Sequence, residues 1–120
     1  DGLDEISLAA PTFVVELNNG EIREYTIQPE DCGIARQPID GLVVSGAEES
    51  YALIRAALGA EDNPRAQNAA SIIGLNAGAA LYAAGLADKL EYGVDQAMSL
   101  LESGAALAKL DQLIAVSHKV

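Results

Sequence analysis

From Ala69 to Ala87 the chain runs 19 residues without a charge, and this stretch constrains the fold more than any other. Its length approaches that of a membrane span. Ser71, Asn76, three glycines and many alanines nevertheless make it too weakly hydrophobic to insert. A helix of this composition belongs inside a protein. Gly74 and Gly78 stand four apart, a spacing that lets a second helix or strand approach closely.

The surroundings of that helix share its character. Half of the 120 residues are apolar, aromatics are 4 %, and Trp is absent. Ala-rich helices pack closely but bury little area each, so stability must come from extensive contact between elements. A piece built this way exposes a broad Ala/Leu surface wherever neighbours are missing.

Two halves follow from the pattern. In the first, Phe13, Val15 and Leu17 share one face of a strand and Glu16 the other. Asn19-Gly20 then predicts a tight hairpin, because a type I′ turn needs positive φ at both central positions. Residues 21–28 form the return strand, which Pro29 to Gly33 terminates. Residues 34–47 are a connector.

The second half is helical. One helix covers Glu48–Leu58, with Ala52, Leu53, Ala56 and Ala57 at helical spacing and Gly59 as its stop. Asn63-Pro64 starts the next, running to about Ala84 with Gly85 after it. A third spans Glu91–Glu102. Ser103-Gly104 caps a fourth, whose stripe is Leu107, Leu110, Ile114 and Leu113. His118 to Val120 form a frayed end. A hairpin followed by helices is an α/β or α+β unit.

Net charge is −11, from 18 acidic and 7 basic residues. Such a field repels phosphate backbones and anionic membranes, so neither nucleic acid nor membrane is an expected partner. Cys32 stands alone, which excludes an internal disulfide and fits a reducing, cytoplasmic compartment, with the thiol as apolar filler in a turn.

Little catalytic equipment is present, and no catalytic residue can be assigned. His118, the only histidine, lies at the extreme end. No Ser-His-Asp set, zinc ligand set or phosphate-binding loop of the G-x-x-x-x-G-K type occurs. Arg55 and Arg65 read as surface charges at helix ends. Asn76 sits amid apolar helix and is expected to tie it to a neighbouring backbone.

One pair stands out. Asp4 and Glu5 follow Gly2-Leu3, and carboxylate oxygens suit a hard cation such as Mg²⁺. Adjacent residues of an extended segment point to opposite faces, so the two could share an ion only from a turn or loop. They could also hold two neighbouring ions. The plain alternative is a solvated acidic terminus. A start at this motif without Met gives the expectation of the C-terminal part of a larger enzyme.

Gly2-Leu3-Asp4-Glu5-Ile6-Ser7 with Ala10-Pro11-Thr12 resembles the Asp-Glu motif of the anthranilate phosphoribosyltransferase family. The run from Glu21 to Gly33 is similar to that family too, as are Leu75 to Tyr82 and Ser103 to Leu110, in matching order and spacing. The resemblance implies an α/β fold: the C-terminal portion of the large domain in the anthranilate phosphoribosyltransferase and nucleoside phosphorylase-like fold. Residues 1–33 would be the metal motif and hairpin, residues 47–117 the helices, and the N-terminal helical domain would be absent.

It further implies transfer of a phosphoribosyl group from phosphoribosyl pyrophosphate to the anthranilate amine, in tryptophan biosynthesis. Asp4 and Glu5 would bind Mg²⁺, the one cofactor, and the intact enzyme would be a homodimer. The family's glycine-rich pyrophosphate loop and its anthranilate-binding Arg lie outside these residues, so the isolated chain is expected to be inactive. Two other readings compete: a homologue that binds nucleic acid instead, and a self-associating fragment with no chemistry.

Overall fold

A computed structural model describes residues 1–120 as a two-stranded antiparallel hairpin followed by four helices. Strands β1 (Thr12–Asn18) and β2 (Glu21–Ile27) pair in the register Thr12 to Ile27 through Asn18 to Glu21. Asn19 and Gly20 both take positive φ, 50° and 82°, as the turn requires. Pro29–Cys32 is a 3-10 turn, and the connector contains a second at Asp40–Leu42.

Helices α1 (Ala47–Leu58), α2 (Pro64–Ala83), α3 (Leu90–Glu102) and α4 (Ala105–Ser117) fall within one or two residues of the expected bounds. The Asn63 side chain accepts from the Ala66 N–H and so caps α2, with Pro64 in the first turn where its missing N–H costs nothing.

The core forms where α2 and α3 cross. Leu75, Val94, Leu8 and Cys32 are its buried centre, closed by Ile6, Ile34, Ile72 and Met98. Cys32 is thus apolar filler in a turn, and burial pushes its thiol pKa up. The crossing is tight because two glycines meet there. A methyl at Gly78 would lie 2.5 Å from the Val94 Cα, and one at Gly93 would strike the Gly78 carbonyl.

Phe13, Val15 and Leu17 share a face, as expected, and that face is exposed, at 65 %, 59 % and 72 %. The Glu16 face is turned toward α2, with the Tyr82 hydroxyl on Glu16. Leu113 is exposed at 64 % and Ala52 is also exposed, so the stripe of α4 is Leu107, Leu110 and Ile114 alone and that of α1 centres on Leu53 and Ala57. Ser103 does not cap α4 through N2 or N3; Gly104 leads in at φ 78°.

Arg55 and Arg65, finally, are more than surface charges. Arg55 pairs with Asp111 at 2.7 Å and joins α1 to α4. Arg65 donates to the Gly41 and Val43 carbonyls, 2.7 and 3.0 Å, and to Glu49, 2.8 Å, which holds the connector on α2. No helix is long and apolar enough to cross a membrane.

Candidate functional site

Asp4 and Glu5 both lie in a bend, the local geometry an adjacent pair needs if it is to face one ligand. Both are exposed, and neither carboxylate accepts a hydrogen bond or joins an ion pair within the chain. No group of three His, Cys, Asp or Glu side chains converges on a metal-sized space. Two free carboxylates with open positions around them suit Mg²⁺, which is commonly held by one or two carboxylates together with substrate phosphates. Further oxygens must then come from a ligand.

The bend is held from both sides. On one, the Asp1 carboxylate accepts from the Leu3 N–H at 3.2 Å and from the Ser7 hydroxyl. That hydroxyl also accepts from the Ala9 and Ala10 N–H groups, 3.0 and 3.2 Å, so buried Ser7 uses its donor and both lone pairs. On the other side, the Ile6 N–H donates to Asn76 Oδ1 at 2.9 Å, and Asn76 Nδ2 donates to the Ile6 carbonyl at 3.0 Å. The second Nδ2 hydrogen reaches the Ile72 carbonyl, 2.9 Å, one turn back along α2.

Asn76 therefore does tie α2 to a neighbouring backbone, and its target is the residue after Glu5. An Asn amid Ala, Gly and Leu was the signal. Nothing local in the sequence singles out Asp1 or Ser7, because their pairing depends on how the chain reverses between them.

A cleft of about 580 Å³ lies beside the loop, between the inner hairpin face and the end of α2. Val14, Ile27, Ala79, Ala83 and Leu90 line it, and Ile6 reaches it; Asp4 and Glu5 do not. Among its polar lining, with Asp88 and Asn18, is Glu16, which accepts from Tyr82 at 2.6 Å, Tyr25 at 3.0 Å and Arg23 at 3.4 Å. These donors, Tyr82 foremost, hold the Glu16 carboxyl below its ordinary range. The same bond raises the Tyr82 hydroxyl. Glu16 Oε1 takes the Tyr82 bond and Oε2 the two from the hairpin, so the cluster braces β1 against α2. Cys32 and His118 take no part in either place.

Residues 1–107 match the family described as "Glycosyl transferase family, a/b domain". The chain belongs to that family. It is 59 % identical over 114 residues to "Anthranilate phosphoribosyltransferase" of Stutzerimonas stutzeri (strain A1501), covering 95 % of this chain and 33 % of that protein. To the protein of the same name from Azotobacter vinelandii it is 55 % identical over 117 residues, 98 % of this chain and 34 % of the relative.

The crystal structure of anthranilate phosphoribosyltransferase from Thermus thermophilus superposes with a TM-score of 0.82 at 36 % identity, over 96 % of this chain and 33 % of that one. This glycosyl transferase chain thus spans about a third of the length of the relatives it matches. Its hairpin and helices have the α/β fold of the corresponding part of that enzyme.

Proposed function

We propose that this chain is the C-terminal part of an anthranilate phosphoribosyltransferase, and that the whole protein moves a phosphoribosyl group from phosphoribosyl pyrophosphate to the amine of anthranilate for tryptophan synthesis. The observation carrying this reading is identity above half with relatives of that name across nearly the whole chain. In it Asp4 and Glu5 hold Mg²⁺, from a bend that Asp1, Ser7 and Asn76 keep open. With a substrate's diphosphate supplying further oxygens, these two carboxylates would hold the ion, which would supply charge neutralisation for the pyrophosphate leaving group. The intact enzyme works as a homodimer in the cytoplasm.

Residues 1–120 alone lack activity in this reading, and their charges support it. Arg23, Arg36, Arg55, Arg65 and Lys89 each pair with a carboxylate of the chain itself. With a net charge of −11, the chain offers a diphosphate two carboxylates for a metal but no cradle of cations. The same charge disfavours the nucleic-acid reading.

The test is phosphoribosyl-anthranilate formation by the intact protein and by residues 1–120, with Mg²⁺ varied. Turnover is expected only from the intact protein, and Asp4→Asn or Glu5→Gln should lower it at limiting Mg²⁺. Full turnover by the 120-residue chain, or indifference of the intact protein to both substitutions, overturns the proposal.

A further inference from the structure

Asn76 has a mid-helix position between Leu75 and Ala77, where an Ala would serve the helix better. All three of its amide bonds are made, two of them to one residue. Ile6 N–H belongs to the peptide unit that leaves Glu5, so the bond to Asn76 Oδ1 fixes the plane next to the Glu5 Cα. The bond from Nδ2 to the Ile6 carbonyl fixes the following plane. Reversing the amide would set donor against donor at the Ile6 N–H and oxygen against oxygen at the Ile6 and Ile72 carbonyls, so the orientation is determined. Leu75 and Gly78, packed in the core on either side of Asn76, hold α2 in place beneath the loop.

We propose that Asn76 is a positioning residue for the Asp4–Glu5 pair, presetting the bend in which those carboxylates take a divalent cation with a diphosphate. The proposal rests on the reading of Asp4 and Glu5 as metal ligands. Asn76 itself touches neither ion nor substrate; it acts through the Ile6 backbone. Without it, residues 4–6 must be ordered at the moment of binding, and the ion–diphosphate complex binds more weakly. Loss of an outer partner of a metal ligand weakens binding about 10- to 100-fold.

The probe is Mn²⁺, another cation of octahedral oxygen sites, titrated with phosphoribosyl pyrophosphate into the intact protein. Water-proton relaxation enhancement reports the slowly tumbling, protein-bound ion. Asn76→Ala should weaken the complex about tenfold or more, and raise the Mg²⁺ needed for half-maximal rate, with kcat at saturating Mg²⁺ largely restored. A merely structural role lowers the active fraction and leaves both constants unmoved, which overturns the proposal.

The double variant Asp4→Asn/Glu5→Gln separates the two layers. If it binds Mn²⁺ like the parent, the metal-ligand reading fails. If it loses the ion while Asn76→Ala keeps the parental constant, only the positioning role fails. Should Asn76→Ala not fold, Asn76→Leu fills the same space in a strong helix former and is read the same way.

Discussion

Tyr82, near the end of α2, donates its hydroxyl to Glu16 of β1 across 2.6 Å, and 66 positions of sequence separate the two. Through this bond the hairpin is braced on the same helix that carries Asn76. Glu16 is thereby held below its ordinary pKa of 4.5. A depressed carboxylate contributes stability above the unfolded pKa and loses it as pH falls through the folded one. Tyr82→Phe removes the largest cause of that depression. It should lower the unfolding midpoint at neutral pH, with the two curves converging in acid below pH 4.5. Denaturant melts from neutral pH into acid check this, and a constant offset at every pH would refute it.

Gly78 and Gly74 make different predictions from one motif. Gly→Ala in a helix is ordinarily favourable by roughly 1 kcal/mol. At Gly78 the added methyl meets the Val94 backbone, which cannot yield without separating α2 from α3. Gly78→Ala should therefore destabilise by about 1–3 kcal/mol or more. At Gly74 the obstacle is the Met98 side chain, a flexible thioether that can swing aside. Gly74→Ala should fall within about 1 kcal/mol of the parent, its helix gain offsetting the repacking. Urea titrations of both variants decide the matter.

The difference between those glycines was not legible in their shared spacing, although close approach was. The same holds more widely. Asn19-Gly20, Asn63-Pro64 and Gly59 act within a few residues, and each turn, start or stop stands where the sequence indicates. Asn76 announced a tie but not its target, since the partner lies 70 positions away. The hairpin leaves a different question open. Alternation shows which residues share a face but not which face the rest of the chain covers, and two tyrosines make the Glu16 side the inner one. Arg65 looked like solvated charge because its carbonyl partners belong to a connector with no periodicity to read.

Arg65 and Glu49 give a second test in acid. Glu49 is lowered from 4.5 to about 2 by the Ser45 N–H, the Ser45 hydroxyl and Arg65, in that order. Its contribution is complete above pH 4.5 and fades toward pH 2. Arg65→Gln removes one of the three causes, so the folded pKa of Glu49 rises, and the loss that starts near pH 4.5 becomes smaller and is complete at a higher pH than in the parent. Because the Gly41 and Val43 carbonyls lose their donor too, amide exchange across residues 41–45 should quicken at neutral pH. Unchanged exchange there would mean that the connector is held by something other than Arg65.

The exposed face of the hairpin yields the last prediction. Phe13 and Leu17 protrude from β1 on the side away from α2, with Ile22 opposite Leu17 and itself 69 % exposed. Within residues 1–120 these side chains bury little, so Phe13→Thr and Leu17→Thr should each shift the stability of the 120-residue chain by no more than about 0.5 kcal/mol. Thr is β-branched and itself favours the strand, which limits the backbone contribution. Leu75→Ala, which empties the buried centre, should cost about 2–5 kcal/mol in the same experiment. If the outer-face substitutions instead cost as much as the core one, the packed and open sides of the hairpin have been exchanged, and the bracing of β1 by Tyr82 is wrong with them.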